Sequence, residues 1–188
     1  ARAVKLLLFD VDGVLTDGSL FLDNRGEEYK AFNSRDGHGL KMLQRNGVAV
    51  GIITGRESQI VAHRTRELGI AHVRQGCADK FPVYEDMLRE LKLSHEQVGF
   101  VGDDVVDLPI MLRVGLAVCP QDGHFLVQRH AHSVTPSGGW IPASAVSSPT
   151  ASTCTRIEES VATVPATTRS PGSFTTGRDS PVIIDSST

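Results

Sequence analysis

Asp10-Val11-Asp12-Gly13 sets two carboxylates two residues apart, directly after the apolar run Leu6-Leu7-Leu8-Phe9. On a loop leaving a buried strand, such a pair can divide the work of group transfer. Asp10 is placed to attack an electrophile, and Asp12 to give a proton to the leaving oxygen and then activate water. Gly13 permits the backbone turn that brings both inward. An Asx turn without chemistry is the competing reading, and the spacing alone leaves the two even. What tips the balance is company. Thr54-Gly55-Arg56 follows the apolar run Val48 to Ile53, Lys80 heads an amphipathic stretch, and Gly102-Asp103-Asp104-Val105-Val106-Asp107 follows Val98 to Val101.

These clusters need a scaffold, and the periodicity supplies one. Leu6 to Phe9, Val48 to Ile53, Ala71 to Arg74, Val98 to Val101, Leu116 to Val118 and Ser133 to Thr135 read as strands. Between them lie helical patterns: one through Leu40 and Leu43 that stops at Gly47, and one through Ile60, Val61, Arg64 and Leu68 closed by Gly69. Further helices are predicted from Lys80 to Leu91, up to Arg113, and near Phe125. Strands alternating with helices predict an α/β, Rossmann-like parallel sheet with helices on both faces. The polar clusters sit where strands end, the place where open α/β sheets bind ligands. Residues 18–32 break the alternation: two β-prone arms around Asp23-Asn24-Arg25-Gly26 predict a β-hairpin inserted after the first strand.

The segment FDVDGVLTDG resembles motif I of the haloacid dehalogenase (HAD) superfamily of phosphohydrolases. ITGRES, QGCADK and GDDVVDLPIM resemble its later motifs, in order and at suitable separations, and within the superfamily the match is to the 3-deoxy-D-manno-octulosonate 8-phosphate phosphatase family. The resemblance covers about Val4 to Gly139. It implies the HAD fold, phosphate ester hydrolysis through an aspartyl phosphate on Asp10, and a Mg2+ ion. It also implies that Thr54, with the following Gly55 backbone, holds phosphoryl oxygens, that Lys80 neutralises the aspartyl phosphate, and that Asp103 completes the metal site. Asp104 and Asp107 are candidates for orienting Lys80 or a water on the metal, Asp107 being equally able to cap the next helix. Arg56, Arg64 and Arg74 could each meet the substrate carboxylate, since a guanidinium matches it bidentately, and Arg56, directly after the second motif, is our choice.

These roles agree with elementary chemistry. Magnesium takes hard oxygen ligands and keeps several waters, so the carboxylates of Asp10 and Asp103 with the Asp12 carbonyl make a reasonable set. The metal and Lys80 offset the repulsion between a carboxylate nucleophile and a phosphate dianion. Thr54 has the alternative of a helix N-cap, and Ser58 reads as a helix-start residue. His130 and His132 are closer to a structural pair than to a metal site.

A net charge of -3 gives no basic footprint for nucleic acid. No apolar run is long enough to span a membrane. Three cysteines without CxxC spacing point to a reducing, cytoplasmic setting. At Gly139 the composition changes. Residues 140–188 contain no Leu, Lys, Asn, Gln or His, and Ser and Thr make up about two residues in five. Such a stretch buries no core, so residues 1–139 are expected to form the phosphatase domain and 140–188 a tail outside it. A disordered tail, a linker and a stretch translated from a shifted reading frame are the three readings of it, the last favoured, and only residues 155–164 have a helical pattern. The intervals between the motifs leave no room for a cap domain. The family solves this by assembling a tetramer through its hairpins, and the apolar arm Leu20-Phe21-Leu22 suits that use.

The expected reaction is hydrolysis of a small phosphorylated sugar acid. A nonulosonate 9-phosphate is the alternative substrate. A receiver-like signalling module is the alternative class, disfavoured by Asp12 because a persistent phosphoaspartate needs no acid–base residue beside it. A non-catalytic domain of a fused enzyme is disfavoured by the intact Asp10, Asp12, Lys80 and Asp103.

Overall fold

A computed structural model describes residues 4–136, 138 and 139. Its main sheet is built from β1 (Leu6–Phe9), β4 (Ala49–Ile53), β5 (His72–Arg74), β6 (Val98–Val101), β7 (Leu116–Cys119) and β8 (Ser133–Val134). All six strands run parallel in the order β5-β4-β1-β6-β7-β8. The helices are α1 (Ser34–Arg45), α2 (Gln59–Leu68), α3 (Lys80–Leu91), α4 (Leu108–Met111) and α5 (Phe125–His130). A small antiparallel ribbon, β2 (Phe21–Leu22) with β3 (Glu28–Tyr29), stands after β1. The expected Rossmann-like α/β architecture is present.

Alternation along β1 shows why the sheet is covered on both faces. Leu7 and Phe9 point into one layer with Leu40 and Leu43 of α1 and Val61 and Leu68 of α2. Leu6 and Leu8 point into the other, with Tyr84 and Met87 of α3 and Ile110 and Met111 of α4. All four β1 side chains are fully buried, each stabilising the fold by roughly 1.5–3 kcal/mol relative to exposure. A strand with two buried faces has no polar position to spare, so the first carboxylates come only where it ends.

The helix ends follow the predicted punctuation. α1 begins at Asn33, whose side chain accepts from Arg35 N–H, and its chain reverses through Gly47 in the left-handed region. α2 closes on Gly69, also left-handed. The N-cap of α2 is Ser58, not Thr54, which lies four residues earlier at the end of β4. The helix expected to run up to Arg113 is shorter than its sequence pattern. A 3-10 turn over Val105–Asp107 precedes a single helical turn, α4, with Pro109 at its start. In the hairpin, Asp23 Oδ1 accepts from the Arg25 and Glu27 N–H groups, and Gly26 takes a positive φ. No helix among the described residues is long and apolar enough to cross a membrane. The tail, including its possible helix at 155–164, lies outside the described residues, as does Cys154.

Candidate active site

Four loops leave the carboxyl ends of neighbouring strands and meet. The central one, after β1, carries Asp10. Its backbone N–H still donates to Val101 O of β6 at 3.0 Å, so this residue is held by the sheet while its side chain is released. The loop then curls round one carbonyl: Val14, Leu15 and Thr16 N–H all donate to Val11 O. Gly13 is where the curl turns, with φ +87°. A Cβ there would lie 2.1 Å from Asp103 Oδ2, so glycine is required both by the conformation and by the approach of the opposite loop.

Lys80, the first residue of α3, is buried, and its Nζ lies 2.7 Å from Asp10 Oδ2 and 2.8 Å from Asp107 Oδ1. Burial works against its charge, but the carboxylates of Asp10 and Asp107 outweigh that and raise the ammonium above its ordinary pKa. Asp107 is fully buried. Its second oxygen accepts from the N–H groups of Asp103 and Asp104, at 3.1 and 3.3 Å. Burial and the Asp10 charge push the Asp107 carboxyl up; an ammonium and two N–H donors aimed at it keep it an acceptor.

Asp103 is the unsatisfied member. Its Oδ1 is buried without a hydrogen-bond partner. Burial, then the charges of Asp10 and Asp107, push its carboxyl up to about 7. Oxygens of Asp10, Asp103 and Asp107 lie within 4.8 Å of one another. Three carboxylates this close are held together against their own repulsion, and an orphaned oxygen among them is what a hard cation satisfies. The donor set therefore fits magnesium. Asp103, with its orphaned Oδ1, is the freest donor of the three; the oxygens of Asp10 already face Val11 N–H and Lys80, and those of Asp107 face Lys80 and the Asp103 and Asp104 N–H groups.

Other candidates divide cleanly. Thr54 is buried at the end of β4, beside Gly55 and Arg56. Arg56 is half-exposed and pairs with Glu28 at 2.9 Å, its Nε 3.9 Å from Asp12 Oδ2. Asp104 does not reach Lys80. It is exposed, and its Oδ1 accepts from Val105 N–H as the cap of the 3-10 turn. Asp107, three residues on, is the one the turn swings inward. Arg64 and Arg74 are engaged with Glu67 and Glu90. His132 Nδ1 accepts from Ala117 N–H at 2.8 Å, which makes it a strand-end bond.

Two residues at the site escaped sequence reasoning. Lys30, just after β3, is buried along its whole side chain and pairs with Asp12 Oδ1 and with Glu28 Oε1, the latter at 3.2 Å. Glu28 completes the group. Burial alone would raise its carboxyl, but Ser58, Lys30 and Arg56 outweigh that and lower it. The available signal was strand alternation, which puts Glu28 and Lys30 on one face of the arm and Tyr29 on the other.

No family model matches the chain. Individual relatives do. The 3-deoxy-D-manno-octulosonate 8-phosphate phosphatase KdsC of Yersinia pestis is 45% identical over 135 residues, 72% of each chain. The protein of that name from Escherichia coli K12 is 44% identical over 139 residues, 74% of each chain. Among solved structures, a probable YrbI family phosphatase of Pseudomonas syringae aligns with a TM-score of 0.73 at 48% identity, covering 73% of this chain and 78% of its own. The Moraxella catarrhalis 3-deoxy-D-manno-octulosonate 8-phosphate phosphatase, in complex with magnesium ion, phosphate ion and KDO, aligns at 34% identity with a TM-score of 0.72, covering 73% of this chain and 79% of its own. With this fold, this cluster of carboxylates and these relatives, the chain belongs to the 3-deoxy-D-manno-octulosonate 8-phosphate phosphatase family of the haloacid dehalogenase superfamily.

Proposed function

We propose that this chain hydrolyses the phosphate ester of a small sugar acid, 3-deoxy-D-manno-octulosonate 8-phosphate in the first instance, with magnesium bound. The observation that carries the reading is the Asp10 carboxylate at the end of the central strand, paired with the buried Lys80 and flanked by the orphaned Asp103 oxygen. The names of the relatives above support the substrate class.

In the first half-reaction an Asp10 carboxylate oxygen bonds to phosphorus as the ester P–O bond breaks. Asp12 gives its proton to the departing sugar oxygen. In the second, a water oxygen attacks phosphorus, Asp12 takes its proton, and the Asp10–phosphorus bond breaks to regenerate the carboxylate. Lys80 keeps a positive charge beside Asp10 throughout, and Asp107 holds Lys80 in place. Thr54 and the Gly55 N–H are assigned to the phosphoryl oxygens, and Arg56 to the substrate carboxylate. Asp10, Asp103 and the Asp12 carbonyl would hold magnesium, which supplies electrostatic stabilisation of the transferring phosphoryl group.

We assign catalysis to residues 1–139, and the assembly to a tetramer built through the hairpin, where Leu20, Phe21, Leu22 and Tyr29 are all more than half exposed. Cys77 and Cys119, buried free thiols, suit a cytoplasmic location. The test is phosphate release from 3-deoxy-D-manno-octulosonate 8-phosphate against a panel that includes a nonulosonate 9-phosphate, with and without magnesium. Preference for the octulosonate ester, lost in Asp10→Asn, supports the reading. Equal rates across the panel overturn the substrate, and magnesium-independent release overturns the mechanism.

A further inference from the structure

We infer that Lys30 is a positioning residue for Asp12, set into the site by the hairpin, and that it fixes which Asp12 oxygen serves the leaving group. The inference rests on the reading of Asp12 as the acid–base residue.

Lysine is almost never fully buried unless paired, yet the Lys30 side chain is 1% exposed. Its ammonium is shared between Asp12 Oδ1 and Glu28 Oε1. Glu28 is tied in turn to Arg56 at 2.9 Å. With Oδ1 taken, Asp12 can offer only Oδ2 to a departing oxygen, and Oδ2 is the atom that faces Arg56. Asp12 itself is only partly enclosed, with 22% of its side chain exposed. Nothing in its own loop gives it a hydrogen bond comparable to the one from Val11 N–H that steadies Asp10. The carboxylate that attacks is thus oriented by its own loop and by Lys80 of α3, and the one that moves protons is oriented by the inserted ribbon.

A role in merely fastening the hairpin would not need the Asp12 contact, because the Glu28–Arg56 pair already joins ribbon to domain. The two roles separate by leaving group. A nitrophenolate departs as a stable anion and needs no proton, whereas a sugar alkoxide does. We therefore compare Lys30→Met and Lys30→Arg with wild type in rapid-quench single turnovers. The substrates are 3-deoxy-D-manno-octulosonate 8-phosphate, glycerol 3-phosphate as an alkyl ester without a carboxylate, and p-nitrophenyl phosphate.

For Lys30→Met, phosphorylation of Asp10 should slow about 10²-fold on both alkyl esters, at the low end of what a positioned acid–base group supplies. The nitrophenolate burst should slow at least tenfold less, and Lys30→Arg should recover most of the loss. Should Lys30→Met not fold by circular dichroism, Lys30→Gln carries the same expectations. Equal losses on aryl and alkyl esters overturn the inference, as does a raised KM with unchanged kcat confined to the sugar acid, which would make Lys30 a substrate-binding group. A wild-type chain inactive on all three esters overturns the phosphatase reading itself; an active wild type matched by Lys30→Met overturns only the role of Lys30.

Discussion

Replacing Asp103 with asparagine should destroy the enzyme while strengthening the metal-free protein. In the absence of metal this carboxyl is pushed from 3.8 up to about 7 by burial and by the charges of Asp10 and Asp107. The unfolded chain loses its proton near 3.8, so between that pH and about 7 the unfolded state binds fewer protons and stability falls as pH rises. Three units at about 1.4 kcal/mol each give roughly 4 kcal/mol above pH 7. Asp103 is partly exposed, which water discounts to about 2–4 kcal/mol. Asparagine keeps the shape and removes the charge. Melting in EDTA at pH 8 should therefore place Asp103→Asn about 5–10 °C above wild type, the gap narrowing steadily toward pH 4. Magnesium should raise the wild-type melting temperature and leave the variant unmoved. A variant that melts at or below wild type at pH 8 would refute the reasoning, because it would mean that the Asp103 charge is already compensated in the empty site.

Other outcomes follow from the same geometry. Asp12→Asn should let Asp10 become phosphorylated slowly and block its release, lowering steady turnover by about 10²–10⁴-fold; rapid-quench trapping of phosphoenzyme checks this. Gly13→Ala places a methyl group against Asp103 at a φ of +87°. It should cost about 1–3 kcal/mol in urea unfolding and reduce magnesium affinity measured by calorimetry. Lys80→Met removes the charge shared by Asp10 and Asp107. We expect a loss of about 3–5 kcal/mol in EDTA, partly restored by magnesium, with turnover abolished in both conditions.

Much of the fold could be read from the chain because burial on two faces leaves a plain record. Leu6 to Phe9 has no polar residue, and Lys80–Leu91 keeps its helical period from end to end. Asp10 and Asp103 were visible for the same reason, as carboxylates at the ends of runs that tolerate none. Asp104 and Asp107 could not be ranked, because a 3-10 turn rather than an α-helix decides which of them swings inward. The helix expected to run up to Arg113 is shortened to Leu108–Met111 by the same turn. Lys30 was missed for another reason: strand alternation puts it on one face with Glu28, but a lysine in a hairpin arm has the pattern of a solvated side chain, and Asp12 lies 18 residues away on another element. Ion pairs across an insertion leave no periodicity.

The position of β1 has a consequence for how the molecule comes into being. It is the first strand in the chain and the third in the sheet, with Leu6 beside Ala49 on one side and Val98 on the other. Asp10 is thus synthesised before the residues that face it, Lys80 arriving after two crossovers and Asp103 and Asp107 after three. Pairings of such long sequence separation close late and slowly. In a refolding experiment helical signal should return well ahead of catalysis, and recovered turnover becomes a clock for the docking of β6 against β1 rather than for collapse.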